Sequence, residues 1–437
     1  MSKASDLLKQ INSLPKGYIS QKTINGKTYF YLQRKENNKV VSEYIPSYNL
    51  NDVRNKIALR EELIKQLTLL TDSGKKLHLP TKNSRDLSGY LMMGDEIVGE
   101  FSNGQTIFVD QNKAPLLFRN NGTIEAFLKS RCLDSTRINS RLLKKILGIS
   151  QSEEQHIVSL YVYGATITDN YWFKPKGSAL RYKDITFYSD IYNELALDGE
   201  LIVFPTTPKA TPQLTLIGSY EKCWRKIGDD WWMYKKETSD ELFSELLASK
   251  IAELINIPTA IYEYDDGYIR TKNFADKYNF EPMSYLMGSN EKYDDVFNEL
   301  NKIDKSLAKQ YLKLIYFDAF VNNIDRHNEN YGFLRDKETG EIISLAPNFD
   351  NNLSFIGFKN TLIDDPNKDG FIKFFLKFVK KNSVVQEYYQ KMRFAKLNKK
   401  DIEKCIDSIP IKKEKEAITN YTYNRYIFLM NNLKKSA

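Results

Sequence analysis

The feature that most constrains this chain is an abrupt change of character near residue 321. Residues 291–322 read as helical, with Leu307, Tyr311, Leu314, Ile315 and Phe320 at helix-like intervals. Directly after comes Asn322-Asn323-Ile324-Asp325-Arg326-His327-Asn328-Glu329-Asn330-Tyr331-Gly332, dense in charged and amide side chains. Phe333-Leu334-Arg335 and Ile342-Ile343-Ser344-Leu345 then read as a hairpin whose turn ends at Gly340, and Pro347-Asn348-Phe349-Asp350 closes it. That pairing brings Asn330 and Asp350 to the same end of the hairpin. Taken singly, Asp-Arg-His is an ordinary surface ion cluster and Asn-Asp-Asn an ordinary turn. The combination is a site.

Phosphoryl transfer asks a protein mainly to position groups and to neutralise charge. One carboxylate orients the acceptor hydroxyl and takes its proton, while a second carboxylate and an amide oxygen hold magnesium. Asp325 and Asn330 have the D-x-x-x-x-N spacing of a catalytic loop in which Asp is the base and Asn a metal ligand. Asp350, after the hairpin, falls where the second magnesium ligand is required. Hard oxygen donors of this kind suit Mg²⁺.

Asn323-Ile324-Asp325-Arg326-His327-Asn328-Glu329-Asn330-Tyr331-Gly332 followed by Leu345-Ala346-Pro347-Asn348-Phe349-Asp350 resembles the C-terminal half of HipA-like serine/threonine kinases. The resemblance covers residues 76 to 437 and is strongest from 211 to 355. It implies an α+β, two-lobed protein-kinase-like fold, use of ATP and Mg²⁺, a protein substrate, and the role of toxin beside an antitoxin partner. The Asp-Arg-His-x-x-Asn core also looks like the catalytic loop of phosphoinositide kinases, so a lipid or small-molecule acceptor stands as the alternative. A nucleic-acid-binding regulator is a third reading.

The nucleotide-binding half lies upstream. Leu214 to Lys222 reads as a strand interrupted at Gly218, Cys223-Trp224-Arg225-Lys226 as a second strand, and Trp231-Trp232-Met233-Tyr234 as a third, ending on Lys235-Lys236. Strand alternation puts the two lysines on opposite faces. The resemblance selects Lys235 for the nucleotide phosphates and leaves Lys236 to solvent. It assigns Gly218, Ser219 and Lys222 to the loop over the phosphates, and Glu245, on a helix over 241–255, to holding the lysine. It also makes Thr215 the autophosphorylation candidate, a threonine where the family carries serine. His327 is expected to support the loop rather than to act as a base, and Arg326 to do the same or to pair with a phosphorylated residue.

The remaining sequence sets bounds. At 437 residues, with 41% hydrophobic and 27% charged, the chain has the composition of a globular protein of several domains. Its net charge of +8 is spread among acidic residues and favours phosphate-bearing partners only mildly. Cys132, Cys223 and Cys405 have no metal-ligand spacing, which fits a cytoplasmic location. No stretch is of membrane-spanning length, and no signal-peptide pattern opens the chain.

Residues 1–75 read as a β-meander with an Asn25-Gly26 turn, followed by a helix capped at Asn51 or Asp52. The module is expected to be a scaffold extension rather than a docking module, because its basic residues form no clean stripe. Residues 76–210 form an α+β region with a turn at Asn103-Gly104. Residues 211–290 form the small lobe and 291–437 the helical large lobe. Arg131, Arg137 and Arg141 are expected on a solvated helix face or paired with Asp134, and Thr168-Asp169-Asn170 is expected as a turn before the core aromatics Tyr171 and Trp172.

Overall fold

The computed structural model describes residues 3–36, 39–71, 74–102, 105–120, 122–200, 205, 207–357, 362 and 365–435. The expected turn at Asn103-Gly104 lies outside the described residues.

The first module is an antiparallel meander of β1 (Tyr18–Ile24), β2 (Lys27–Glu36) and β3 (Lys39–Ile45), flanked by helices Lys3–Ser13 and Leu50–Thr71. Its first hairpin turns at Asn25 and Gly26, both with positive φ (51° and 74°). That is the turn whose twist suits adjacent strands and which asks for Asn-Gly. The long helix does not start from an Asn51 or Asp52 cap. A short 3₁₀ turn at Ser47–Asn49 runs directly into it at Leu50.

The second sheet has the order β6-β5-β4-β7, from β4 (Gly89–Met93), β5 (Glu96–Ser102), β6 (Gln105–Phe108) and β7 (Tyr171–Pro175). Tyr171 and Trp172 are buried in it, following the expected turn. The arginines nearby are not solvated. Arg131 is buried and grips Asp169 with both terminal nitrogens, at 2.5 and 2.9 Å. Asp134 instead accepts from the Thr136 N–H at 2.8 Å, and only Arg141 faces water. A buried guanidinium needs such a bidentate partner to offset its lost hydration.

The small lobe is a four-stranded antiparallel sheet in the order β10-β11-β9-β8, from β8 (Lys222–Ile227), β9 (Asp230–Lys235), β10 (Tyr262–Asp265) and β11 (Tyr268–Lys272). The helix Ser239–Leu254 links its halves and starts at a capping box: the Thr238 hydroxyl accepts from the Glu241 N–H while the Glu241 carboxylate accepts from the Thr238 N–H. The expected strand before the Gly218 turn is absent, while the strand after it is present as β8 from Lys222. Residues Pro212–Thr215 form a 3₁₀ turn with Thr211 at its cap and Pro212 supplying no donor. The side chain of Gln213 takes the strand's place, bonding both the N–H and the C=O of Trp224 at 2.9 and 2.7 Å.

Across the expected boundary at 290, β12 (Tyr278–Pro282) pairs with β13 (Gly332–Asp336) of the large lobe, which pairs in turn with β14 (Ile342–Leu345). The helical run at 291–322 is two helices, Tyr293–Ile303 and Lys305–Val321, divided at Asp304, which caps the second. Helices Gly370–Lys381, Ser383–Lys391, Lys399–Asp407 and Lys415–Lys435 complete the lobe. One large apolar cluster draws on residues from Leu91 to Leu433, and a separate small one joins Ala196, Leu197, Cys223 and Tyr234. The first module keeps small clusters of its own, drawn only from residues 7–67. The architecture is α+β: a four-stranded sheet and its helix lead into a helical lobe that carries the loop-bearing hairpin.

Candidate active site

The helix Lys305–Val321 ends because Asn322 takes a left-handed conformation (φ 62°) that Asn tolerates, its N–H returning to the Asp318 carbonyl. The chain then turns into the polar run. Asn323 is buried; its amide oxygen accepts from the Asp325 N–H at 3.2 Å, and its nitrogen donates to the Asp350 carbonyl at 3.3 Å and the Asn351 side chain at 3.2 Å. One residue thus fixes both ends of the candidate site.

Arg326 ties the same two segments together. Its guanidinium pairs with the fully buried Asp318 at 3.0 Å and donates to the carbonyls of Asn330 and Phe349 at 2.7 and 2.6 Å. It also donates to the amide oxygens of Asn348 and Asn351 at 2.7 and 2.8 Å. A planar donor fork with every arm engaged is a structural clamp, not a phosphate ligand. His327 accepts from the Glu329 N–H at 3.3 Å and its other ring nitrogen lies 4.0 Å from Asp325. Asp325 itself stays about half exposed, with burial the largest influence raising its carboxyl above the usual range. Asn330 is buried and donates its amide nitrogen to the Asp325 carbonyl at 3.0 Å, which orients its side chain within the loop.

Asp350 has φ 58°, and the Tyr262 hydroxyl accepts its backbone N–H at 3.1 Å. Its carboxylate meets Lys235 at 2.5 Å. Burial works to raise this carboxyl, but Lys235 and Lys222 outweigh it and bring Asp350 down to about 2. Lys235 has a second partner that the sequence did not single out: Glu237, at 2.7 Å, with a fully buried side chain. Position 237 lies just past the end of β9, which closes at Lys235, so alternation along the strand did not point to it. Glu245 is buried as well, but it holds the loop rather than the lysine, accepting the Asn351 N–H at 2.8 Å. Burial first, then Asp350 and Glu237, push Glu245 up to about 8.

Lys222 and Lys235 are directly paired across β8 and β9, so both ammonium groups leave one face of the sheet. Lys222 reaches back under the loop before it: a Cβ placed on Gly218 would lie 2.9 Å from its Nζ. Gly218 has φ +88°, a conformation L side chains rarely adopt. Buried Arg137 holds this loop by the carbonyls of Leu216, Tyr220 and Lys222 at 3.3 to 3.4 Å. The Tyr220 hydroxyl donates to Glu241 at 2.7 Å. Ser219 is exposed at the loop tip, and Lys236 points away to Asp198 at 2.9 Å. Thr215 is buried below the loop with its hydroxyl donated to the Pro212 carbonyl at 2.7 Å.

Carboxylate oxygens of Glu237, Glu245 and Asp350 come within 4.8 Å of one another, and Glu237 Oε2 is buried without a hydrogen bond. A hard-oxygen cluster with an orphaned acceptor fits a divalent cation such as Mg²⁺. The ammonium groups beside it offer counter-charge to phosphate.

A family model described as a domain of unknown function, DUF6788, matches residues 2–55. No curated protein matches. Among solved structures, the chain is similar to the Helicobacter pylori proinflammatory kinase CtkA, at 17% identity over 49% of this chain and 93% of that one, with a TM-score of 0.37. It is also similar to a chain of the Shewanella oneidensis MR-1 toxin–antitoxin complex of HipA, HipB and operator DNA. That match has 14% identity over 80% of this chain and 97% of that one, with a TM-score of 0.48. Likenesses at this level say nothing of what either chain acts on; the chemistry rests on the residues themselves.

Proposed function

We propose that this chain is an ATP- and Mg²⁺-dependent kinase that phosphorylates serine or threonine of a protein. The observation that carries the reading is the meeting of Lys235 with Asp350, clamped by Arg326 and Asn323 to the loop that bears Asp325 and Asn330. Asp325, half exposed, orients the acceptor hydroxyl and takes its proton as the new O–P bond forms and the bond from the γ-phosphorus to ADP breaks. Lys235 and Lys222 face the nucleotide phosphates, and the loop at Gly218 covers them with backbone N–H groups. Asp350 and Asn330 are the ligands for Mg²⁺, with Glu237 beside them; the bound ion supplies charge neutralisation at the phosphates. The HipA-like motif extends the reading to a toxin with an antitoxin partner in the cytoplasm. Among the described residues no helix is long and apolar enough to cross a membrane.

The test is incorporation of label from γ-labelled ATP with Mg²⁺, by the parent and by Asp325→Asn and Asp350→Asn. Label on protein substrate in the parent alone supports the reading. Transfer to a lipid headgroup but to no protein moves the acceptor to the phosphoinositide-kinase-like alternative. Absence of both label and ATP binding ends the kinase reading. Mapping the label tests Thr215, which can accept phosphate only if the Pro212–Thr215 turn opens, since its hydroxyl is buried and bonded.

A further inference from the structure

The kinase reading leaves residues 3–71 without a task. Between residues 1 and 45 the sequence has eight Lys and Arg against three Asp and Glu, a surplus of five of the chain's net +8 in its first tenth. Folding sorts the meander into two faces. Ile19, Phe30, Leu32 and Ile45 pack against Leu50, Val53 and Ile57 of the helix behind. The other face stays open: Tyr18 is 62% and Tyr44 51% exposed, and Lys22 and Lys27 are exposed with them. Among the described residues neither small core of this module reaches beyond Leu67, and the ion pair that joins the module to the body, Lys16 with Glu200 at 2.5 Å, lies before β1 rather than on the open face.

We propose that this open face binds duplex DNA, with Lys22 and Lys27 on the phosphates and the polar tips of Tyr18, Gln33 and Tyr44 in the major groove. The strand register puts Lys22 and Lys27 on this face and the positions of both strand glutamates, Glu36 and Glu43, on the other, and that charge selects a polyanion. Three strands at about 4.8 Å spacing present a face about 10 Å wide, which matches a major groove of about 12 Å. The arrangement of the rings selects the duplex over a single strand. Tyr44 packs edge-on against Tyr31 at 5.8 Å and tilted against Tyr29 at 6.2 Å, and the Lys22 ammonium covers Tyr31 at 5.3 Å. The Tyr18 hydroxyl donates to Gln33 at 2.7 Å. Rings locked against one another do not offer the flat plates on which unpaired bases stack. They offer a ridge of hydroxyl and amide groups.

The experiment is fluorescence anisotropy of the full chain with a labelled 20-base-pair duplex and with one of its single strands, across 50 to 200 mM salt. The parent is compared with Lys22→Gln/Lys27→Gln and with Lys305→Gln/Lys309→Gln, which removes the same charge from exposed positions of the large lobe. The expected result is tighter binding of duplex than of single strand. The Lys22/Lys27 variant should bind at least tenfold more weakly, with the slope of log K against log salt smaller by about 2, roughly 0.9 for each phosphate no longer neutralised. The control pair should stay within twofold of the parent. Equal losses in both pairs would reduce the effect to net charge and overturn the assignment. Absence of duplex binding at 50 mM salt, or tighter binding of the single strand, would overturn it as well.

Discussion

Lys235 and Asp350 stand 115 positions apart in the chain and 2.5 Å apart in the fold. Lys235 also neutralises Glu237, whose side chain is fully buried. Lys235→Met would leave Glu237 and Asp350 facing each other, with Glu245 close by and no cation between them. Removing one partner from a buried pair typically costs about 3–5 kcal/mol. The variant is expected to lose label transfer and to unfold in urea at that lower stability. Asp350→Asn is expected to lose transfer too, but with less than half the stability loss, because it relieves the crowding of carboxylates. Equal stability of Lys235→Met and parent would show that the pair does not hold the site together.

Arg326 joins the Asp325–Asn330 loop to the Asn348–Asn351 segment. Lysine keeps the charge but cannot reproduce the fork. Arg326→Lys is therefore expected to lower turnover by about a hundredfold, the scale of a misplaced catalytic group, with ATP affinity changed less than threefold. A larger fall in ATP affinity than in turnover would place Arg326 on the nucleotide instead.

Gly218→Ala tests the loop over Lys222. The added Cβ meets only the end of a flexible side chain, so the steric cost is small, but the left-handed φ of +88° remains. Stability is expected to fall by about 1–2 kcal/mol. Displacement of Lys222 is expected to raise the KM for ATP about tenfold, with kcat within twofold. An unchanged KM would separate the loop from nucleotide binding.

How much of this was legible before folding depended on how local the signal was. The meander of the first module follows from alternation and Asn25-Gly26, which act within a few residues. Asp325 and Asn330 stood at a fixed spacing within one loop. The misplaced strand before Gly218 turned on Gln213 bonding Trp224, an interaction that exists only once β8 is in place. Arg131 looked like a surface residue because its partner, Asp169, is 38 positions away; nothing in composition pairs them. The same holds for the buried pairs Arg335–Glu281 and Arg425–Asp369. Glu245 sat where the resemblance implied, yet the nearer carboxylate is Glu237, because the end of β9 carries the side chain of 237 back towards 235.

Lys222 gives the site a pH dependence of two opposite signs. Burial first, with Lys235 and Arg137 adding repulsion and Asp350 opposing, brings its ammonium down to about 8. In the unfolded chain it titrates near about 10.4. Between those values the unfolded state holds more protons than the folded one, so this group makes folding stability rise with pH through that window. Nucleotide binding runs the other way. It uses the charged ammonium, which the free protein loses above about 8. Affinity for a non-hydrolysable ATP analogue with Mg²⁺, followed by calorimetry, is expected to be nearly flat below pH 7 and to weaken about tenfold from pH 7 to 9, one protonation equilibrium's worth. Lys222→Met is expected to bind more weakly at pH 7 and to show no such slope, while its urea stability loses the rise above pH 8. The same slope in parent and variant would assign the titration to another group and remove Lys222 from the phosphates.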